Sequence, residues 1–159
     1  MFQVLFVCTG NTCRSPMAEA LLRKKIEESG KLDSIGVSSA GIMGRAGQPA
    51  SLEALAVMHW RGLSLERHRS RRLEAGHLAG ADLVLVMTRG HLEALRHQAG
   101  TSRIQLLAEY AGFLGDVADP AGGPVIEYEL CADELERLID AAWGKISQEA
   151  GKKERGSEN

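Results

Sequence analysis

Five residues, Thr9, Gly10, Asn11, Thr12 and Cys13, separate the thiol of Cys8 from the guanidinium of Arg14, and Ser15 and Pro16 follow directly. If this stretch coils around one point, its backbone N–H groups form a nest for a tetrahedral oxyanion, and Arg14 adds a planar fork that holds two oxygens. Ser15 suits the cap and Pro16 the first turn of a helix whose positive end faces the same point. That field stabilises a thiolate, so Cys8 becomes a nucleophile able to attack phosphorus directly. Ser15 can then hydrogen-bond the departing thiolate, Asn11 can brace the loop from within, and Thr9, Gly10, Thr12 and Cys13 complete a ring of anion size. The bland alternative is a buried cysteine beside a helix-capping serine. A strand before the loop and a helix after it, as phosphate-cradling motifs require, favour the chemical reading.

The elements around the loop supply that context. Apolar, β-branched runs fall at Gln3 to Val7, Ile35 to Ser39, Asp82 to Met87 and Arg103 to Leu107. Helical patterns lie between and after them, at Met17 to Ser29, Ala50 to Trp60, Gly90 to His97 and Ile126 to Gln148. Leu52, Leu55 and Ala56 are expected on the inner face of the second helix, and Cys131 on that of the last. Both tryptophans, Trp60 and Trp143, sit at core spacing. Strands as continuously apolar as "ADLVLVMT" are covered on both faces, which predicts an α/β three-layer sandwich around a four-stranded parallel sheet. Ligands of such sheets bind beyond the carboxyl ends of the strands, where the loop at Cys8 lies.

With 159 residues, 44% of them hydrophobic and 25% charged, the chain reads as a single domain over 1–150. The tail "GKKERGSEN" has no large apolar residue and is expected to be disordered over 151–159. A net charge of −2 gives no general attraction to nucleic acid or to a membrane, so anion recognition must be local. The short apolar start is neither a membrane span nor a signal peptide, and three cysteines make no secreted disulfide framework. A cytoplasmic monomer is the expectation. No second pair of ligands at metal spacing accompanies Cys8 and Cys13, so no metal or other cofactor is expected.

The stretch "VCTGNTCRSPMAEALL" resembles the signature of the low-molecular-weight protein tyrosine phosphatases. The likeness continues through "SSAG" at 38–41, "ADLVLVMT" at 81–88 and "DP" at 119–120, and covers nearly the whole chain to about residue 148. It implies a metal-independent phosphatase with a cysteinyl-phosphate intermediate, acting on phosphorylated proteins and releasing inorganic phosphate.

Such chemistry also needs an acid for the leaving group, on the side away from the nucleophile. The glycine- and proline-rich segment "GDVADPAGGP" offers Asp116 and Asp119. Composition alone makes an aspartate before proline a turn-former, whereas the resemblance makes Asp119 the acid and leaves Asp116 a loop residue. It further implies that Ser39 and His68 support the phosphate loop.

Most of the family has a branched aliphatic residue where this chain has Thr12, and an aromatic where it has Ala121. Losing the aromatic weakens the case for a phenyl ring, and the Thr12 hydroxyl suits a polar guanidinium. "CTGNTCRSP" resembles the protein-arginine-phosphatase branch of the family, which implies phosphoarginine as substrate. Phosphotyrosine is the alternative; further rivals are an arsenate reductase, one thiol short of its relay, and a silent phosphopeptide-binding module. Cys13 can guard Cys8 through a reversible disulfide or simply fill space. The basic run "RHRSRR" at 67–72 either guides phosphorylated protein or is a solvated loop.

Overall fold

The computed structural model describes residues 1–98 and 103–158. In chain order the elements are β1 (Phe2–Cys8), α1 (Arg14–Glu28), β2 (Ile35–Gly41), α2 (Leu52–Trp60), α3 (Ala75–Ala79), β3 (Leu83–Val86), α4 (Arg89–Leu95), β4 (Arg103–Leu106), α5 (Leu107–Tyr110) and α6 (Val125–Ser157). All strand pairs are parallel and the sheet order is β2-β1-β3-β4.

Alternation along β1 divides the interior into two layers. Val4, Phe6 and Cys8 join α1, α2 and α6 on one face, with Leu83 and Leu85 of β3. Leu5 and Val7 join Val84, Val86, Leu78 of α3 and Leu95 of α4 on the other. The sandwich expected from the sequence is therefore present. This phase of β1 places the Cys8 side chain on the α1 face, beneath the turn into that helix.

The order of strands also fixes where a ligand enters. The chain leaves β1 toward α1 on one face and leaves β3 toward α4 on the other. The two connections part at the carboxyl ends of adjacent strands and open a crevice there.

Three expectations about the helices are corrected. First, α2 buries Ala54, Val57 and Met58, while Leu52 is 80% exposed and Trp60 60% exposed. The Ser51 hydroxyl caps α2 by accepting from Ala54 N–H, and Ser51 N–H donates to Thr12 O, so docking on the loop after β1 sets the helix's rotation. Trp143, by contrast, does pack partly buried against the core. Second, Ser15 does not cap α1: Cys13 holds the cap position, and Ser15 lies inside the first turn with its hydroxyl turned to other work. Third, α6 continues through Ser157 rather than ending near Gln148. The last turns are polar, but Lys153 anchors them to Met1 O and the Asp82 carboxylate.

The short helices α3 and α5, of five and four residues, are too brief to leave a periodic signal in the sequence. No helix among the described residues is long and apolar enough to cross a membrane.

Candidate active site

Residues 8–14 form a loop around the end of β1, closed by the start of α1. Two backbone features make the tight curve possible. Asn11 has φ of 58°, the left-handed region that asparagine tolerates better than other side chains. Gly41, at the end of β2, lies beneath the loop, and a Cβ there would stand 2.7 Å from Thr9 O and 2.9 Å from Asn11 N. Only glycine lets β2 support the loop this closely.

The Asn11 side chain then links three of the groups behind the Cys8 thiol. Its Oδ1 accepts from Arg71 N–H at 2.9 Å, so the amide nitrogen must face the other way. That nitrogen donates to Ser15 Oγ at 2.8 Å and to Ser39 Oγ at 2.9 Å. Ser15 Oγ also lies 2.9 Å from Cys8 Sγ, where its O–H is free to donate to a thiolate. His68 Nε2 meets Asn11 O at 2.7 Å, and the Arg71 guanidinium donates twice to Ser39 O.

The structure thus brings Ser39 and His68 to the network expected for them. The basic run is neither a free guide nor a solvated loop at these positions, since His68 and Arg71 are the loop's outer brace. Asn11→Ala should lower stability by about 3 kcal/mol, because it strands buried partners on Ser15, Ser39 and Arg71. In thermal unfolding this appears as a drop in Tm of roughly 6–12 °C, and an unchanged Tm would remove Asn11 as the keystone.

Arg14 is buried, and its guanidinium spans the loop. Nη1 donates to Val117 O at 3.0 Å, while Nη2 lies 3.4 Å from both Thr9 Oγ1 and Asp119 Oδ2. Asp119 is 48% exposed and also accepts from Ala121 N–H, the local turn expected of an aspartate before proline. Asp116 has a separate task. Its carboxylate accepts from Arg89 N–H at the start of α4 and so fastens the segment to the sheet's other connection.

Cys8, Thr9, Gly10, Thr12, Cys13, Arg14, Asp119 and Ala121 line one pocket of about 210 Å³. The nucleophile, clamp and acid candidates therefore meet at one cavity, together with both positions at which this chain departs from the usual family pattern.

Cys13 turns its thiol away toward Ser51 Oγ and Tyr128 OH, each at 3.6 Å, and is buried. All three cysteines are free thiols. Cys131 is buried in the α6 core as expected, and burial pushes its thiol pKa up to about 12.

One residue of the site escaped the sequence reading. His91, in the first turn of α4, is 8% exposed, and its Nε2 lies 2.9 Å from Thr9 Oγ1. Burial first, and then the Arg14 guanidinium, hold its pKa below the ordinary 6.5, against opposite pulls from Asp116 and Asp119. The available signal was positional, for His91 follows the carboxyl end of β3 as Thr9 follows that of β1.

Comparison with known proteins agrees with this geometry. Residues 3–153 match the family described as low molecular weight phosphotyrosine protein phosphatase. A protein-arginine-phosphatase of Geobacillus stearothermophilus is 41% identical over 151 residues, spanning 93% of this chain and 98% of that one. The crystal structure of a low molecular weight protein tyrosine phosphatase from T. tengcongensis superposes with a TM-score of 0.85 at 42% identity, over 91% of this chain and 99% of the other. A YwlE arginine phosphatase mutant with a phosphorylated active site serine gives a TM-score of 0.86 at 36% identity, over 92% and 96%. The chain belongs to the low molecular weight phosphotyrosine protein phosphatase family. It is accordingly a hydrolase of the protein phosphatase class, whose partners are phosphorylated proteins.

Proposed function

We propose that this protein removes phosphate from phosphoarginine in proteins, through a cysteinyl-phosphate formed on Cys8. The observation that carries the substrate choice is the pocket wall, where Thr12 and Ala121 stand beside Asp119 with no aromatic side chain. A phenyl ring gains from stacking and apolar contact, which this wall lacks, while a phosphorylated guanidinium gains from the threonine hydroxyl and a carboxylate. A relative and a superposable structure named as arginine phosphatases support the same reading.

In this reading the phosphoryl group sits on the loop amides and the Arg14 fork. An anion there competes with the Asp119 carboxyl group for Arg14 and frees that carboxyl to face the leaving group. Cys8 Sγ bonds to phosphorus while the P–N bond breaks, and Asp119 protonates the departing nitrogen. Water then attacks phosphorus and gives up a proton to Asp119, and the thiolate leaves toward the Ser15 hydroxyl. Loop residues Thr9 to Cys13 supply amides and walls, and no cofactor enters.

For Cys13 to close a protective disulfide with Cys8, its thiol must leave Ser51 and Tyr128. The high pKa of the Cys131 thiol gives an arsenate-type relay no ready second partner.

The test compares kcat/KM on phosphoarginine and phosphotyrosine peptides for wild type and Thr12→Ile. Wild type should prefer phosphoarginine, and Thr12→Ile should move the ratio toward phosphotyrosine by about tenfold, the worth of one polar contact. A wild-type preference for phosphotyrosine overturns the substrate and favours the tyrosine alternative.

A further inference from the structure

His91 is a buried imidazole for which the chemistry above has no use. Its Nε2 meets the Thr9 hydroxyl, while Nδ1 is buried without a hydrogen-bond partner among the described residues. Thr9 itself is exposed to the pocket and also lies within reach of Arg14 Nη2. One hydroxyl therefore joins the catalytic guanidinium to a buried ring on the opposite side of the sheet's crevice.

Counting protons fixes what that junction does. A neutral imidazole carries one N–H. Were it on Nδ1, a donor would be buried with no acceptor, whereas a bare Nδ1 lone pair is the milder omission. The proton therefore belongs on Nε2, which donates to Thr9 Oγ1. Arg14 Nη2 donates to the same oxygen, so both of its acceptor sites are filled. The Thr9 hydroxyl proton has no use within this triad and is left for the pocket side, where Thr9 is exposed.

We propose that His91 is a positioning residue: by donating to Thr9 Oγ1 it turns the Thr9 O–H toward an oxygen of the bound phosphoryl group. The proposal rests on the phosphatase reading of the pocket. Arg14 and burial oppose a second proton on the ring, while Asp116 and Asp119 are the charges that pull the other way. Thr9 thus adds a side-chain donor to the ring of backbone amides, aimed by a residue from α4 that never touches substrate.

Nitrogen-15 NMR of histidine-labelled wild type at neutral pH should show His91 as the Nε2–H tautomer; the Nδ1–H tautomer overturns the proposal. With an aryl phosphate, His91→Leu and Thr9→Val should each lower kcat/KM about tenfold, as for one hydrogen bond to a charged group. Each should weaken inhibition by inorganic phosphate in parallel. The double variant should be no worse than either single one, since both remove the same donor. His91→Gln, whose amide N–H can stand in for Nε2–H, should recover most of the loss. Independent effects that multiply to about a hundredfold overturn the link, because a purely structural histidine predicts them. If His91→Leu does not fold, the tautomer and Thr9→Val decide. A wild type without turnover would sink the phosphatase reading, and the tautomer with the coupling in phosphate affinity would still judge His91.

Discussion

Cys8→Ser lowers turnover of an aryl phosphate by on the order of 10⁴-fold or more, while the folded protein keeps its affinity for inorganic phosphate. The two halves follow from different parts of the site. Anion binding comes from the loop amides and Arg14, which the substitution leaves in place. Bond formation comes from sulfur, which is intrinsically a far better nucleophile toward phosphorus than the hydroxyl oxygen of a serine at the same position. The Ser15 O–H that faces Cys8 Sγ at 2.9 Å would face the new oxygen equally well, so geometry is not the reason for the loss. Activity retained within tenfold would show that the sulfur is not the attacking atom.

Asp119→Asn has the second largest effect, and its size should depend on the leaving group. For a phosphoramidate or alkyl phosphate, whose leaving atom needs a proton, kcat falls by about 10²- to 10⁴-fold. With a leaving group stable as an anion, such as a nitrophenolate, the first step survives. Water attack, which also uses Asp119, becomes slow. The variant then releases a burst of phenolate and accumulates phosphoenzyme, visible by mass spectrometry as one added phosphoryl group. Equal losses on both kinds of substrate, with no burst, would return Asp119 to the turn-forming role that its bond from Ala121 N–H already gives it.

Much of this was legible in the sequence because it depends on order and period. The apolar run of β1, the polar ring from Thr9 to Cys13 and Pro16 in the following turn are local signals, and they located the pocket. The rotation of α2 was not legible, because Ser51 docks on Thr12 and that contact overrides the helix's own apolar pattern. Nor was the direction of the Ser15 hydroxyl, which follows from an amide fixed 60 residues away at Arg71. His91 was hidden for the same reason. A histidine in a short helix carries no chemical signal until β3 is set beside β1, and only then does its ring reach Thr9.

The segment carrying the acid is tied down at three places: Arg89 N–H on Asp116, Val117 N–H on Met87 O, and Arg14 on Val117 O. Two of these ties run to the end of β3 and the start of α4, and the third to the residue that opens α1. The proposed proton donor and the proposed nucleophile are therefore mounted on one frame before any substrate arrives. Much of the ordering entropy of these groups is then met by folding rather than by binding.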